Sequence, residues 1–461
     1  MRLCSTQPVR DRPSQQLTRV ITQSNQELIF GSEEPDAPIL QVLSWITYLS
    51  LAICFIVNAF LPQVEMFCTG GSTPVTARFR LILLLVALTS FFITRRLRKS
   101  PISNAHIVLA AFMCVDFVVL YTTTAYQALG ILNSYRVTLV PLLLFGLILS
   151  APLNLKQRHV LGVGAILFIA CITISAWQFI TDGSVLPARS QDGTFVVPSY
   201  TFYGHIRAFS LFGSGLDAGV FYCIPAALGV ILLMARRRRL MGFLLVSLSA
   251  FGVYTTLTRL ALLGLAASIC SALILWSPRL SRVAKALPLI WTLAALLTIL
   301  MASGVSGDVS RTDLLRTATL HERLVGWHFY EDKYMSGNLA EVLFGTGMSE
   351  YVTSDLSPNW SPEAAPTLID NGFLQILLNS GLVALGIVIY YYIKAWQSLY
   401  CKARNERSVF VLAAAAVFST APLFAAINDL PIAIFALCTI AMMIRREDMY
   451  RCVQLCRCSE D

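Results

Sequence analysis

Three arginines and one aspartate are the residues of this sequence best suited to chemistry: Arg207, Arg259, Arg323 and Asp370. The planar guanidinium group of arginine binds two phosphate oxygens at once, so three converging arginines can hold one diphosphate group. A carboxylate such as Asp370 can accept a proton from a sugar hydroxyl group. Together these residues predict a site for a diphosphate and for a substrate that carries a hydroxyl group.

Arg207 and Arg259 stand near the starts of two apolar stretches, and each also has a simpler interpretation. A guanidinium group entering hydrocarbon costs about 2.5–3.5 kcal/mol, so Arg259 needs an anion nearby. That anion is either a substrate phosphate or a lipid headgroup, and in the second case Thr258 merely caps the helix. Arg207 is either a substrate ligand or half of an interfacial ion pair with Asp217.

A long polar segment, residues 305–369, contains a predicted amphipathic helix from Thr312 to Met335. One face is apolar and has arginines at its edge; these residues are Leu320, Leu324, Trp327, Arg316 and Arg323. Such a face suits the bilayer interface, where lipid phosphates are available, and membrane lipids are therefore expected partners. The alternative for Arg323 is a solvated helix edge. His321, like His205, is either a loop residue or a support for a base.

Asp370 and Asn371 precede an apolar stretch, where Asp is also a favoured helix cap. The catalytic and the capping interpretations of Asp370 have about equal weight. Asp116 lies inside another apolar stretch, and an isolated carboxylate there usually has a partner or a role in transport. We find no nucleotide-binding or paired metal motif in the sequence.

The composition identifies the class of protein. The chain has 461 residues, 56% of them hydrophobic and only 13% charged, which excludes a soluble enzyme, a disordered chain and a β-barrel. We predict an all-α polytopic membrane protein with about twelve transmembrane helices. The predicted spans are 39–61, 79–94, 106–123, 137–153, 159–181, 212–234, 240–254, 256–276, 286–304, 370–393, 409–427 and 429–444.

The distribution of charge predicts the topology. Twelve spans put both termini on one side, and 25 of the 35 basic residues lie there, so this side is expected to be cytoplasmic. The outer side carries 10 basic and 15 acidic residues. The net charge of +9 is therefore an orientation signal, and we expect no nucleic-acid partner.

Four short motifs occur in a fixed order along the chain. They are Thr256-Leu-Thr258-Arg259, Arg323-Leu-Val-Gly-Trp327, Gly345-Thr-Gly347 and Asp370-Asn371, and Arg207 with Phe212-Gly-Ser-Gly precedes them. In this order and spacing, residues 205–385 resemble the O-antigen ligase and polymerase family of bacterial envelope glycosyltransferases. Before residue 205 the resemblance is one of hydropathy only.

The resemblance implies a glycosyltransferase fold of the C type, independent of metal ions and of cofactors. The implied donor is an undecaprenyl diphosphate-linked oligosaccharide, with Arg259 and Arg323 on its diphosphate and Asp370 as the base or the residue that orients the acceptor. Arg207 is assigned to donor or acceptor binding. Further substrate-binding residues are expected to be Arg316, His321, Trp327, Asn371 and Thr258. A chain-length regulator is a candidate partner.

The implied location is the bacterial inner membrane, with cytoplasmic termini and a large periplasmic loop at 305–369. The expected parts are a cytoplasmic tail at 1–38, N-terminal spans at 39–204, the ligase- and polymerase-like core at 205–385, C-terminal spans at 386–444 and a second tail at 445–461.

Asp370 favours a polymerase of O-antigen, capsule or exopolysaccharide, because members that ligate polymer to lipid A-core carry histidine there. The alternatives are such a ligase, a twelve-span transporter that uses Asp116, and a structural subunit of an export complex. Since the two halves of the chain show no internal repeat, a transporter is disfavoured.

Overall fold

The computed structural model describes most of the chain from residue 157 onwards. The longer described ranges are 157–181, 205–212, 215–236, 238–303, 334–345, 371–406 and 408–427. Shorter ones are 39, 42–43, 46, 86, 89, 93, 111–112, 114–116, 118–119, 201–202, 327, 331–332, 434 and 441. Both predicted tails, most of the first four predicted spans and most of the last one lie outside the described residues.

The chain forms two compact units. The first comprises residues 1–52 and 83–101, and its described positions are helical. The second comprises residues 53–82 and 102–461 and contains every element named below. Its helices are α1 (Gln157–Ile180), α2 (Gly215–Met234), α3 (Arg239–Thr255), α4 (Arg259–Trp276), α5 (Ser281–Ser303), α6 (Leu339–Phe344), α7 (Gly372–Glu406), α8 (Val409–Ser419) and α9 (Ala421–Ile427). A short 3₁₀ helix, Pro278–Leu280, joins α4 to α5, and strands β1 (Thr201–Phe202) and β2 (His205–Ile206) form an antiparallel pair before α2.

The prediction of a helical membrane protein is confirmed within the described residues. Six helical stretches are long and apolar enough to cross a bilayer: α1, α2, α4, the α5 region, α7 and the α8–α9 pair. The predicted spans 159–181, 212–234, 240–254, 256–276 and 286–304 each coincide with one helix. The total of twelve stays a prediction.

The α8–α9 pair occupies the single predicted span 409–427 and is broken at Thr420. Pro422 lacks the N–H group that would bond to the carbonyl of Phe418 four residues earlier. The Tyr392 hydroxyl of α7 donates a hydrogen bond to that carbonyl instead, at 3.2 Å. This replacement matters because 94% of the 409–426 stretch is buried, out of reach of water.

Helix α7 differs from the predicted span 370–393 because it is broken and longer. Gly381 has φ 74° and ψ −174° inside the helix, which separates residues 372–380 from residues 382–406. At about 1.5 Å per residue, the second part rises roughly 37 Å and can cross the bilayer by itself. Hydropathy merged the two parts into one apolar stretch, and the helix continues beyond the predicted end of the span at residue 393 to Glu406.

The bundle has two ends, because short turns reverse the chain between α2, α3, α4 and α5. The start of α2, the α3–α4 turn at residues 255–258 and the start of α7 lie at one end, which we call the site end. The arginines of the α2–α3 turn lie at the other end. There the Trp396 Nε1 and Tyr400 hydroxyl groups of α7 donate to backbone oxygens of Lys285 and Ser281, each at 3.1 Å. That the site end faces outwards stays a prediction.

We expect Gly264→Ala to destabilise the bundle. A Cβ atom at residue 264 of α4 would overlap the ring of Phe424 in α9, which is only 1% exposed. Overpacking of this kind typically costs about 1–3 kcal/mol, so the thermal midpoint of the detergent-purified protein should fall. Gly386→Ala in α7 is the matched control, because its Cβ would meet no atom within 4 Å. Equal midpoints for the two variants would contradict the packing of α4 against α9.

Candidate functional site

A non-helical segment, residues 207–212, which ends in a turn closed by a bond from the Phe212 N–H to the Phe209 carbonyl, lies at the site end between α1 and α3, and we call it the strap. It follows β2 and begins with Arg207, which is half-buried. The backbone N–H of Ala208 donates to the carbonyl of Thr255 at 3.0 Å, so the strap is bonded to the last residue of α3. This bond places Arg207 next to the α3–α4 turn.

The other side of the strap is held by Gln178 of α1. Its side-chain oxygen accepts hydrogen bonds from the backbone N–H groups of Phe209 at 3.1 Å and Ser210 at 2.8 Å. Its side-chain nitrogen donates to the carbonyl of Ser210 at 3.3 Å. The Ser210 hydroxyl donates to the carbonyl of Cys171, also in α1, at 2.9 Å. Ser210 itself has φ 56°, a conformation uncommon for residues other than glycine.

The α3–α4 turn is also strained, and it leads directly into Arg259. Leu257 has φ 49°, which is a genuine outlier for a bulky residue. The Thr258 hydroxyl lies 2.7 Å from the Thr256 hydroxyl, 3.1 Å from the Thr256 carbonyl and 3.4 Å from the carbonyl of Gly215. It makes no capping bond to α4, so the interpretation of Thr258 as a simple helix cap is wrong.

The strap and the turn meet at the first residue of α2. A Cβ atom built on Gly215 would lie 3.3 Å from the carbonyl of Thr256, 3.4 Å from that of Ala208 and 3.7 Å from the Cβ of Arg207. Arg207 and half-buried Arg259 therefore flank the same helix start. The structure thus brings together the two segments that carry Arg207 and Arg259.

Trp327 belongs to a second group at the site end. It is 8% exposed and packs against Ile299 near the end of α5 and Leu374 near the start of α7. Its indole Nε1 atom is buried and has no hydrogen-bond partner in the described part of the chain. A buried indole N–H group usually has a partner, so a polar ligand group would suit this position.

Helix α6 fastens the long polar segment to the break in α7. Gly345, with φ 81°, follows α6, and a Cβ there would lie 2.5 Å from the backbone of Asn379 and Ser380. A Cβ at Gly381 would overlap the backbone of Leu343 in the same way. Only glycine permits these two backbones to approach so closely. The first glycine of the Gly-Thr-Gly motif therefore has a structural role.

Tyr334 supports the same attachment. It packs against Leu378, and its hydroxyl donates to the carbonyl of Val342 at 2.7 Å. Burial raises the pKa of the Tyr334 hydroxyl, so the group stays protonated and can remain a donor. Asn338 and Glu341 form a reciprocal capping box at the start of α6.

Asn371 caps α7. Its side-chain oxygen accepts from the N–H groups of Phe373 at 3.0 Å and Leu374 at 3.1 Å. The capping function that the sequence left open for Asp370 is thus supplied by the residue after it.

The remaining predicted site residues lie outside the described residues: Asp370, Arg316, His321 and Arg323.

The sequence analysis did not identify Gln178, which supports the strap, although a glutamine inside an apolar span was a usable signal. Asp116, named for the transporter alternative, is fully buried. Within the described ranges, no three His, Cys, Asp or Glu side chains are grouped closely enough to hold a metal ion.

A comparison with protein families matches residues 243–389 to the family described as O-antigen ligase. The match confirms the resemblance over residues 243–385, a range that includes the α3–α4 turn, Trp327 and Asn371, whereas the resemblance predicted for residues 205–242, with Arg207, lies before the match. No curated protein matches the chain. The family comprises membrane enzymes of polysaccharide assembly, of the ligase or the polymerase type. Residues 243–389 of this multi-pass membrane protein therefore form an O-antigen ligase family domain.

Proposed function

We propose that the protein is a polysaccharide polymerase of the bacterial inner membrane. It transfers a glycan from undecaprenyl diphosphate to a sugar hydroxyl of a lipid-linked repeat unit on the periplasmic face. The polymer is O-antigen, capsule or exopolysaccharide. The observation that carries the proposal is that the α3–α4 turn contacts both the strap, through Thr255 and Ala208, and the start of α2, through Thr258 and Gly215. It brings Arg207 and Arg259 to one helix start.

A helix start is a favourable place for a diphosphate. The unbonded N–H groups and the dipole of α2 attract negative charge, and two arginines beside it add planar, bidentate donors. Asp217 in the first turn of α2 offsets part of this positive charge. We assign Arg259 and Arg323 to the diphosphate and Arg207 to substrate binding.

The reaction needs charge stabilisation and one proton acceptor. The acceptor hydroxyl oxygen bonds to the anomeric carbon while the bond from that carbon to the diphosphate oxygen breaks. Lipid diphosphate leaves with the bonding electrons, and its developing negative charge is stabilised by the arginines. The hydroxyl proton passes to the Asp370 carboxylate. In this scheme the arginines do the work that a metal ion does in other transferases.

Two features support Asp370 in this role. Asn371 already caps α7, so an aspartate before it is not needed for that purpose. Trp327 packs on Leu374 in the first turn of α7, and its buried Nε1 atom has no hydrogen-bond partner among the described residues. We assign Trp327 and Asn371, together with Arg316, His321 and Thr258, to substrate binding.

The second candidate function is ligation of polymer to lipid A-core, which the description of the matched family favours. Glycan profiles of a strain that lacks the protein distinguish the two functions. We expect loss of the polymer ladder, with single repeat units remaining on lipid A-core. A complete polymer that stays on its lipid carrier would indicate a ligase. No repeat units outside the cell would indicate a flippase-type transporter.

We expect Arg259→Lys to abolish most activity without loss of the protein from the membrane. Lysine keeps the charge but lacks the planar fork. Losing a charge-assisted hydrogen bond worth about 1.5–3 kcal/mol lowers the rate about 10- to 150-fold. Turnover of purified enzyme with lipid-linked repeat units measures this. Arg279→Lys, at the opposite end of the bundle, is the matched control and should keep normal turnover. If Arg259→Lys behaves like that control, Arg259 is an interfacial anchor.

We expect Asp370→Asn to lower turnover about 100- to 10,000-fold, because the amide cannot accept the proton. The shape is unchanged, and the cap of α7 comes from Asn371, so the protein should accumulate normally. The same purified assay applies, because a slow variant can still fill a ladder during overnight growth. Asp332→Asn, an exposed carboxylate of the same long segment, is the control. If Asp370→Asn retains more than about a tenth of wild-type turnover, Asp370 is not the general base.

A further inference from the structure

Gln178 is a fully buried amide inside an apolar membrane helix, and its position outside the family domain leaves its role unassigned. A buried amide in hydrocarbon surroundings is unfavourable unless its donor and acceptor groups are bonded. Here both ends of the amide bond to the strap, and they bond only to its backbone. The amide therefore fixes the main chain at Phe209 and Ser210, two and three residues after Arg207.

The fixed path is one that the backbone does not favour by itself. Ser210 has a positive φ, and such strain persists only where the surroundings over-determine it. Three bonds from Gln178 and one from the Ser210 hydroxyl to Cys171 supply that over-determination. Without the amide, two buried N–H groups would lose their acceptor, and the strap would relax towards an unstrained conformation.

The opposite edge of the strap is bonded to the turn that carries Arg259. Ala208 bonds to Thr255, and the next residues of the turn include Leu257, the second strained position. Gln178 thus holds one edge of a three-layer arrangement of α1, strap and α3–α4 turn. A shift of the strap by the length of a hydrogen bond would move Arg207 relative to Arg259.

We infer that Gln178 is a positioning residue, which holds Arg207 in register with Arg259 for the lipid diphosphate and touches no substrate itself. The inference rests on the proposed function. Its physical basis is preorganisation: charged donors fixed before the reaction stabilise the transition state without reorganisation. A misplacement of about 1 Å at such a site can lower the rate about 100-fold.

Gln178→Met tests the inference, because methionine is similar in size and makes none of the three bonds. We expect turnover with lipid-linked donor to fall about 10- to 100-fold. Ser175→Ala is the matched control: one turn away in α1, it removes a buried hydrogen bond of 2.7 Å to Tyr222 and leaves all three bonds of Gln178 to the strap in place. Tyr222 keeps its bond to the Cys171 carbonyl, and the Ser175→Ala enzyme should keep normal turnover.

A double-mutant cycle with Arg207→Ala separates positioning from general destabilisation. If Gln178 acts through Arg207, Gln178→Met should change turnover less than about twofold once Arg207 is absent. The low turnover of the Arg207→Ala enzyme is measured with a highly radiolabelled lipid-linked donor. If this turnover is below detection, Arg207→Lys is used in place of Arg207→Ala. Equal losses from Gln178→Met in both backgrounds, or an equal loss from Ser175→Ala, would overturn the inference and leave the proposed function intact.

The other outcomes are also decisive. Normal turnover of Arg207→Ala would remove Arg207 from the proposed site, and the positioning role of Gln178 with it. Normal turnover of Gln178→Met would overturn only the positioning role. If Gln178→Met fails to accumulate, Gln178→Glu takes its place in the cycle, because it keeps the oxygen that accepts from Phe209 and Ser210. The turnover per purified molecule should then be higher for Gln178→Glu than for the small amount of Gln178→Met that can be purified.

Discussion

A bilayer offers no water to the backbone, and this constraint governs every departure from helical structure in the bundle. Where Pro422 breaks the buried α8–α9 stretch, the Tyr392 hydroxyl bonds to the carbonyl left over. Where α7 starts, the Asn371 side chain accepts from two N–H groups. Where the strap crosses the site end, Gln178 bonds to the backbone at three places. At these three places a polar side chain therefore satisfies the irregular backbone.

The irregular segments of the bundle also carry backbone strain. The strap and the α3–α4 turn each contain a residue other than glycine at positive φ, and each adjoins an arginine. Strain of this kind typically costs about 1–3 kcal/mol per residue and clusters at functional sites. Two further residues of this kind, Arg236 and Arg238, lie in the α2–α3 turn at the opposite end of the bundle, so a positive φ does not by itself distinguish the site end.

Hydropathy predicted the five helices from α1 to α5 closely, because an apolar segment that crosses a bilayer must satisfy its backbone hydrogen bonds within itself and therefore forms a helix. It failed at Gly381 and Thr420, where the chain stays apolar although the helix breaks. Sequence order also predicted that Arg259, Trp327 and Asn371 belong to one site; all three lie at the site end, and their membership of one site stays a prediction. It did not predict that Ala208 bonds to Thr255, since contacts between distant segments depend on packing that no local pattern encodes.

The family domain supplies only one side of the candidate site. Arg259 lies within residues 243–389, whereas Arg207 and Gln178 come from the part of the chain before them. Gln178 bonds to main-chain atoms of the strap, and the strap's own side chains Ala208, Phe209 and Phe212 are buried, so packing holds the strap as well. The candidate site therefore depends on the contact between a segment outside the family domain and the α3–α4 turn inside it.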